Sequence, residues 1–298
     1  VLIDLQPCAP VALNPDLWLI GTLFAGLLGA CIGSFLNVCI YRIPLDLSVA
    51  TPRSFCMQCK RPIPWYFNIP VLSYFMLRGK CRYCKAPFSF RYAFVELLTA
   101  FLFVLVCVAY PPGGSPPILG MQPLPSLVSV PVMWLFVSGL ILGTFVDFDH
   151  FIIPDSVTIG GMVAGLAVSA LVPELHGAAA WWGGLKGALI GLAVGFGVLQ
   201  TIAFLGAKAF KKEAMGFGDV KLMGAIGAFL GWQAVLFAVV ASSMFGTIVG
   251  VSLIAMGKSK LGSRLPFGPY IALAGLVWVF WGPRLVHDYL ALFMPAIA

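Results

Sequence analysis

Charged side chains are missing from long continuous stretches of this chain, and that pattern limits its fold more than any other feature. Positions 187–207 and 222–257 contain no Asp, Glu, Lys or Arg. The apolar runs do not alternate with polar residues, so they read as helices rather than barrel strands. A membrane-spanning helix takes ~20 residues. The runs predict eight spans, roughly at 17–40, 92–110, 129–147, 156–173, 182–206, 219–231, 233–256 and 267–290. Only Gly231 and Trp232 part the sixth from the seventh, so seven spans is the competing count. Hydrophobic residues make up 60% of the chain and charged residues 10%. A soluble domain has about 45–50% and about 25%. These proportions exclude a disordered chain, an ordinary soluble enzyme and a nucleic-acid-binding domain built on basic surface. The expected class is an all-α polytopic membrane protein.

Basic residues orient it. Sixteen of the 18 Lys and Arg fall in the segment Arg42–Arg91, after the fifth span, or after the seventh. The exceptions are Lys186 and Arg284. Residues 1–41, the proline-rich stretch 110–128 and residues 173–181 carry none. By the positive-inside rule the basic segments are cytosolic and both termini lie outside. The net charge of +7 is then a topology signal, and no nucleic-acid partner is expected. Residues 1–16 lack a basic n-region, so the first span reads as an uncleaved helix. Gly29 and Gly33 in span one, and Gly183, Gly187, Gly191 and Gly195 in span five, predict faces where another backbone comes close.

The basic loop carries Cys56-Met-Gln-Cys59 and Cys81-Arg-Tyr-Cys84. Two CxxC knuckles can close a tetrahedral Zn site. In the cytosol disulfides are disfavoured, which makes metal the better reading. Four thiolates leave no open position for water, so the site would be structural and would hold a loop too small for a large core. Cys31, Cys39 and Cys107 read as small apolar packers. Cys8 has no obvious mate.

Eleven acidic residues remain to be placed. Three cluster in Asp147-Phe-Asp149-His150-Phe-Ile-Ile-Pro154-Asp155, at the cytosolic end of span three. Asp219 opens span six, after Gly216-Phe217-Gly218. Asp155 reads as a helix N-cap and Asp149 as a solvated loop residue. A carboxylate at membrane depth is a functional hypothesis by default. Two brought together cannot both ionise cheaply and share one proton. The ionised member can draw a proton from water while the protonated one polarises a carbonyl, which is aspartyl peptide hydrolysis. Asp147 and Asp219 are the candidate pair. Intramembrane carboxylates also serve transport, so a transporter is the alternative. No HExxH motif or Ser-His-Asp set accompanies them.

Together these motifs resemble the type IV prepilin peptidases, the leader peptidase/N-methyltransferase family. The resemblance runs in order through Gly33-Ser-Phe-Leu-Asn37 to Arg42-Ile-Pro44, Arg53-Ser-Phe-Cys56, Pro70-Val-Leu-Ser-Tyr-Phe-Met-Leu-Arg78-Gly79-Lys-Cys81, Arg91-Tyr92, Glu96, the acidic cluster, and Gly216-Phe-Gly218-Asp219-Val-Lys221. Ala93 stands where many members have Pro. The resemblance implies a bifunctional enzyme of the bacterial inner membrane. It would cut the basic leader from prepilins or type II secretion pseudopilins with Asp147 and Asp219. It would then methylate the new N-terminus from S-adenosylmethionine, an activity tied to the cysteine loop and, within it, to Gly79. A peptidase without methylation is the narrower alternative. No GxGxxG after a strand is present, so the methyltransferase half rests on the resemblance alone. The expected organisation is residues 1–41 with span one, a cytosolic zinc-binding domain at 42–91, and a peptidase domain at 92–298. Leader and cytosolic face are both basic, so substrate capture is expected to come from the substrate's apolar helix and from anionic membrane lipids.

Overall fold

The apolar runs become helices, and small residues set how the helices meet. The computed structural model describes residues 15–109, 126–211, 215–258 and 265–293. Cys8 and most of the proline-rich stretch lie outside the described residues. The helices are α1 (Pro15–Arg42), the short α2 (Leu72–Met76), α3 (Arg91–Val108), α4 (Ser129–His150), α5 (Asp155–Leu171), α6 (Trp181–Phe210), α7 (Phe217–Ala255) and α8 (Gly268–Phe293). Six of them are long and apolar enough to cross a membrane: α1, α3, α4, α6, α7 and α8. α5 is also apolar but shorter, at 17 residues.

The sixth and seventh expected spans form one helical assignment, yet Gly231 breaks it at φ 83°, ψ 173°. A Cβ on Gly227 would come 3.0 Å from Val235 Cγ2. Eight residues of straight helix span about 12 Å. The chain therefore folds back at Gly231, and α7 is two antiparallel helices. With α5, the described residues present eight apolar helical segments, matching the expected count.

The glycine faces pack closely, though not all against backbone: Gly183 meets the Ala178 side chain and Gly187 the His176 ring. Gly29 and Gly33 lie against the backbone of α3, where added Cβ atoms would come 2.7 Å from the Cα of Ala100 and of Glu96. A Cβ on Gly191 would fall on the carbonyl oxygen of Gly227, and one on Gly195 on that of Met223. α6 and the first half of α7 thus touch backbone to backbone. Contact through small residues is how helices associate where lipid removes the hydrophobic drive between them. Gly161 and Gly165 on α5 face Ala225 and Ala228 on the other side of the same half-helix. The first half of α7 is consequently sheathed, and Val220, Met223 and Ile226 are buried. Cys39 is buried and Cys107 half-buried, as packers should be, whereas Cys31 is exposed on the outer wall of the bundle.

Candidate active site and metal centre

Two helix ends deliver the acidic pair. Asp147 sits in the last turn of α4, and Asp219 in the first turn of α7. Both are buried, at 5% and 8% exposure, in a chain that leaves most of its other acids accessible. Their carboxyl groups interact electrostatically. Both helix ends approach Ile153: a Cβ on Gly218 would rest 3.4 Å from Ile153 Cβ, and one on Gly268 would meet both Ile153 Cδ1 and Asp147 Oδ2. Both acids thus lie at the same rim of the bundle, around Ile153.

Their surroundings differ. Asp147 lies at a helix C-terminus, where the dipole disfavours an anion. The compensation comes from afar, because the Gly268 N–H at the start of α8 donates to Asp147 Oδ2 at 3.0 Å. Asp219 lies in a helix first turn, where the dipole favours an anion, and the Gly216 backbone hydrogen-bonds its carboxyl. The two carboxyls are therefore held in place by main-chain donors and not by salt bridges.

The neighbouring acids have structural partners. Arg91 Nη1 donates to Asp149 Oδ1 at 2.6 Å, and Nη2 to the Phe145 carbonyl at 3.2 Å. Asp149 is therefore helical and ties α4 to the start of α3, which corrects its reading as a solvated loop residue. Asp155 is also displaced from its expected role. Pro154 occupies the N-cap position, and Asp155 is the first helical residue. Its Oδ1 receives Lys221 Nζ at 2.7 Å, clamping α5 to α7 two residues beyond Asp219.

The cysteine loop builds a second centre. The Lys60 N–H donates to the Cys56 carbonyl and the Cys56 N–H to Arg61; Lys85, Cys81 and Ala86 repeat the pattern. Lys60 and Lys85 both take positive φ, 57° and 59°. The two knuckles are thus copies of one turn, each written Cys-x-x-Cys-Lys-x-Pro. Their four Sγ atoms lie within 4.8 Å of one another, with Cys56 and Cys84 3.8 Å apart. A tetrahedral site with ~2.3 Å metal–sulfur bonds has sulfurs ~3.8 Å apart. Backbone hydrogen bonds from Cys84 and Tyr83, with thiol neighbours, draw the Cys81 thiol down to about 6. The cluster has the donor chemistry and spacing to bind a metal ion.

Comparison with known proteins decides the family. Residues 27–110 match the bacterial peptidase A24 N-terminal domain, and residues 134–251 match the type IV leader peptidase family. A prepilin leader peptidase/N-methyltransferase of Aeromonas hydrophila is 35% identical over 88% of this chain and 91% of its own length. Proteins of the same name from Pseudomonas putida (34%, 88% and 91%) and Myxococcus xanthus (41%, 81% and 65%) are similar to it as well. The chain belongs to the type IV leader peptidase family. No solved structure matches it.

Two cavities flank the centres of this leader-peptidase-family chain. One, about 550 Å³, is an apolar groove among α1, α4, α5 and α7, lined by Ile32, Leu36, Phe136, Val157, Leu222 and Phe229. Leu222, on its wall, is one helical turn from Asp219, while neither Asp147 nor Asp219 itself lines the groove. The other, about 420 Å³, lies between α1, α3 and the cysteine loop. Glu96 lines it, only 9% exposed, and its Oε2 accepts the Val71 N–H at 2.7 Å. Val71 itself stands at φ 63°, ψ −55°, and the Leu72 N–H bonds the Pro70 carbonyl across it at 2.6 Å. That is a γ-turn centred on a β-branched residue, a strained conformation worth ~1–3 kcal/mol. The sequence offered Glu96 only as part of a motif. The contact it makes across 25 residues has no local signature.

Proposed function

We propose that this chain is a prepilin leader peptidase and N-methyltransferase of the bacterial inner membrane. It removes the basic leader of prepilins or type II secretion pseudopilins at the cytosolic face. It then methylates the new N-terminal residue. What supports the reading is the burial of Asp147 and Asp219 at one rim of the bundle, close enough to act on each other electrostatically. A transporter would need its carboxylates along a path near the midplane.

The chemistry follows from a pair that shares one proton. The ionised carboxyl takes a proton from water as the water oxygen bonds to the scissile carbonyl carbon. The protonated carboxyl donates a hydrogen bond to the carbonyl oxygen as charge grows there. The carbon–nitrogen bond then breaks, and the leaving amine takes a proton from the pair. Incubating purified chain with a synthetic prepilin, wild type beside Asp147→Asn and Asp219→Asn, tests this directly. Cleavage by wild type alone is expected.

We place the zinc loop in the cytosol and both termini in the periplasm, because the basic residues cluster with the acidic rim. The organisation we propose is a first span to residue 41, a zinc-binding domain at 42–91 and a peptidase domain from 92. Zn fits the cluster of Cys56, Cys59, Cys81 and Cys84 better than Mg or Ca, since thiolate ligands favour it. Its role is to hold the loop's shape. The expected stoichiometry is one Zn per chain, and Cys56→Ser lowers it below about a tenth while opening the loop to trypsin. Metal analysis and limited proteolysis check this; full Zn content in the variant would count against the site.

For the second activity S-adenosylmethionine would supply the methyl group to the new N-terminal amine. Gly79 has φ 64°, and a Cβ there would press within 3.0 Å of the Tyr74 hydroxyl, so Gly79 positions a ring on the wall of the smaller cavity.

Substrate recognition rests on the apolar groove. Enzyme rim and leader are both basic, so charge opposes their meeting. We assign the groove to the prepilin's apolar N-terminal helix, with anionic lipid headgroups holding both basic segments at the surface. Cleavage in anionic liposomes is expected to exceed that in neutral ones severalfold, and replacing the leader lysines erases the difference. Equal turnover of the wild-type prepilin in both liposomes would contradict the lipid role.

A further inference from the structure

The smaller cavity has no place in peptide hydrolysis, yet its walls are built for a ligand. Glu96 is a buried carboxylate facing it. Its partners are the Val71 N–H and the Ser34 hydroxyl, and among the described residues no Lys, Arg or His forms an ion pair with it. Arg42 lines the same cavity, but its Nη1 and Nη2 bond the carbonyls of Ser48 and Pro52 at 2.9 and 2.7 Å. A buried carboxylate without a counter-charge is costly. Ser73 is also on the wall, 9% exposed, and its Oγ is buried with no hydrogen-bond partner in the protein. Tyr41, Tyr74, Tyr92 and Phe67 add aromatic faces. Glu96 also holds the strained turn at Val71, which lies between the cavity-lining residues Ile69 and Ser73. Strain of this kind gathers at ligand clamps.

These features together describe a guest with a cation, an aromatic ring and hydroxyl groups. A volume of about 420 Å³ suits a cofactor-sized molecule. We infer that this cavity, between α1, α3 and the cysteine loop, holds S-adenosylmethionine, with Glu96 facing its sulfonium and Ser73 bonding its polar groups. The inference deepens the methyltransferase reading and rests on it. Aromatic faces attract a sulfonium as they do other cations. Placement supports it as well. Arg91 ties the start of α3 to Phe145 and Asp149, on either side of Asp147, and the next residues of α3, Tyr92 and Ala93, already line the cavity. A freshly cut N-terminus would reach the methyl donor by passing one helix start.

The test uses full-length protein in detergent, with its metal. Ultraviolet crosslinking of radiolabelled S-adenosylmethionine, followed by peptide mapping, is expected to place the label within residues 34–96. Label in α5–α8 would overturn the site. Binding is then measured for S-adenosylmethionine and for S-adenosylhomocysteine, whose sulfur is uncharged. Glu96→Gln is expected to weaken the first at least tenfold and the second less than threefold. Equal weakening of both, or of neither, would overturn the role of Glu96. Should Glu96→Gln fail to elute as a single species with its metal, Ser73→Phe decides, since it fills the cavity and should abolish binding of both molecules. Retained binding in Ser73→Phe would contradict the site. Mass spectrometry of processed pilin separates the two claims: methylated pilin with the label elsewhere refutes only the site, while label in the cavity without methylated pilin refutes only the activity.

Discussion

Asp147→Asn and Asp219→Asn are each expected to lose leader cleavage by ~10³-fold or more, a barrier increase of about 4 kcal/mol. The reason is the sharing of one proton. Asn is nearly the same size as Asp, and its amide can still accept the Gly268 N–H in place of Asp147 Oδ2. Packing should survive, so the loss would be chemical. Neither amide can take a proton from water, and neither can return one to the leaving amine. The control is the metal centre, because a variant that keeps its Zn and elutes as wild type has kept its fold. Removing the clamp instead should do much less. Lys221→Met breaks the ion pair with Asp155, whose carboxylate is largely exposed, and a contact of the ammonium with the Phe217 ring. Surface pairs contribute roughly 0–1 kcal/mol.

The second large effect is structural. Gly191→Val is expected to prevent the bundle from assembling. Any Cβ at 191 would occupy the space of the Gly227 carbonyl, which belongs to backbone and cannot rotate away. The helices would have to separate, and α5 is packed against the far side of the same half-helix. Overpacking costs ~1–3 kcal/mol even where side chains can yield, and here none can. Separation would also shift Asp219, two helical turns below Gly227, away from Asp147. The expected outcome is aggregation in detergent, or a melting temperature at least 10 °C lower with no detectable cleavage. Gly197→Ala is the matched control, because a Cβ there meets nothing within 4 Å. A Gly191→Val protein as stable and active as wild type would show that α6 and α7 do not meet as described.

Those glycines also show what the sequence makes legible. A residue repeated every four positions marks one helix face, and of Gly183 to Gly195 the last two, Gly191 and Gly195, meet a neighbouring backbone while Gly187 meets the His176 ring. The knuckles, whose spacing is local chemistry, are legible as well, and so are the apolar runs. Gly231 was ambiguous for a physical reason. A single glycine can sit in a helix or end one, and only its φ of 83° settles that the chain turns. Asp155 is the first helical residue and not the N-cap that its residue type favours, because Pro154 takes the N-cap position. The partners that position Asp147 and Glu96 were invisible. Gly268 lies 121 residues from Asp147, and Glu96 reaches Val71 through a strained turn that no propensity predicts. Pro269 in the first turn of α8 could have flagged a helix start at that rim, since Pro favours the first helical position. Local motifs thus named the acids, while tertiary packing supplied what holds them.

The most direct measurement is a double-mutant cycle on one synthetic prepilin. Residues that act as a unit are non-additive, so losing one removes nearly all that losing both removes. The account predicts that the Asp147→Asn/Asp219→Asn double variant cleaves within about threefold of either single variant. Losses that multiply would mean two independent contributions, and a single variant that retains a tenth of the wild-type rate would mean that the two carboxyls do not share the reaction.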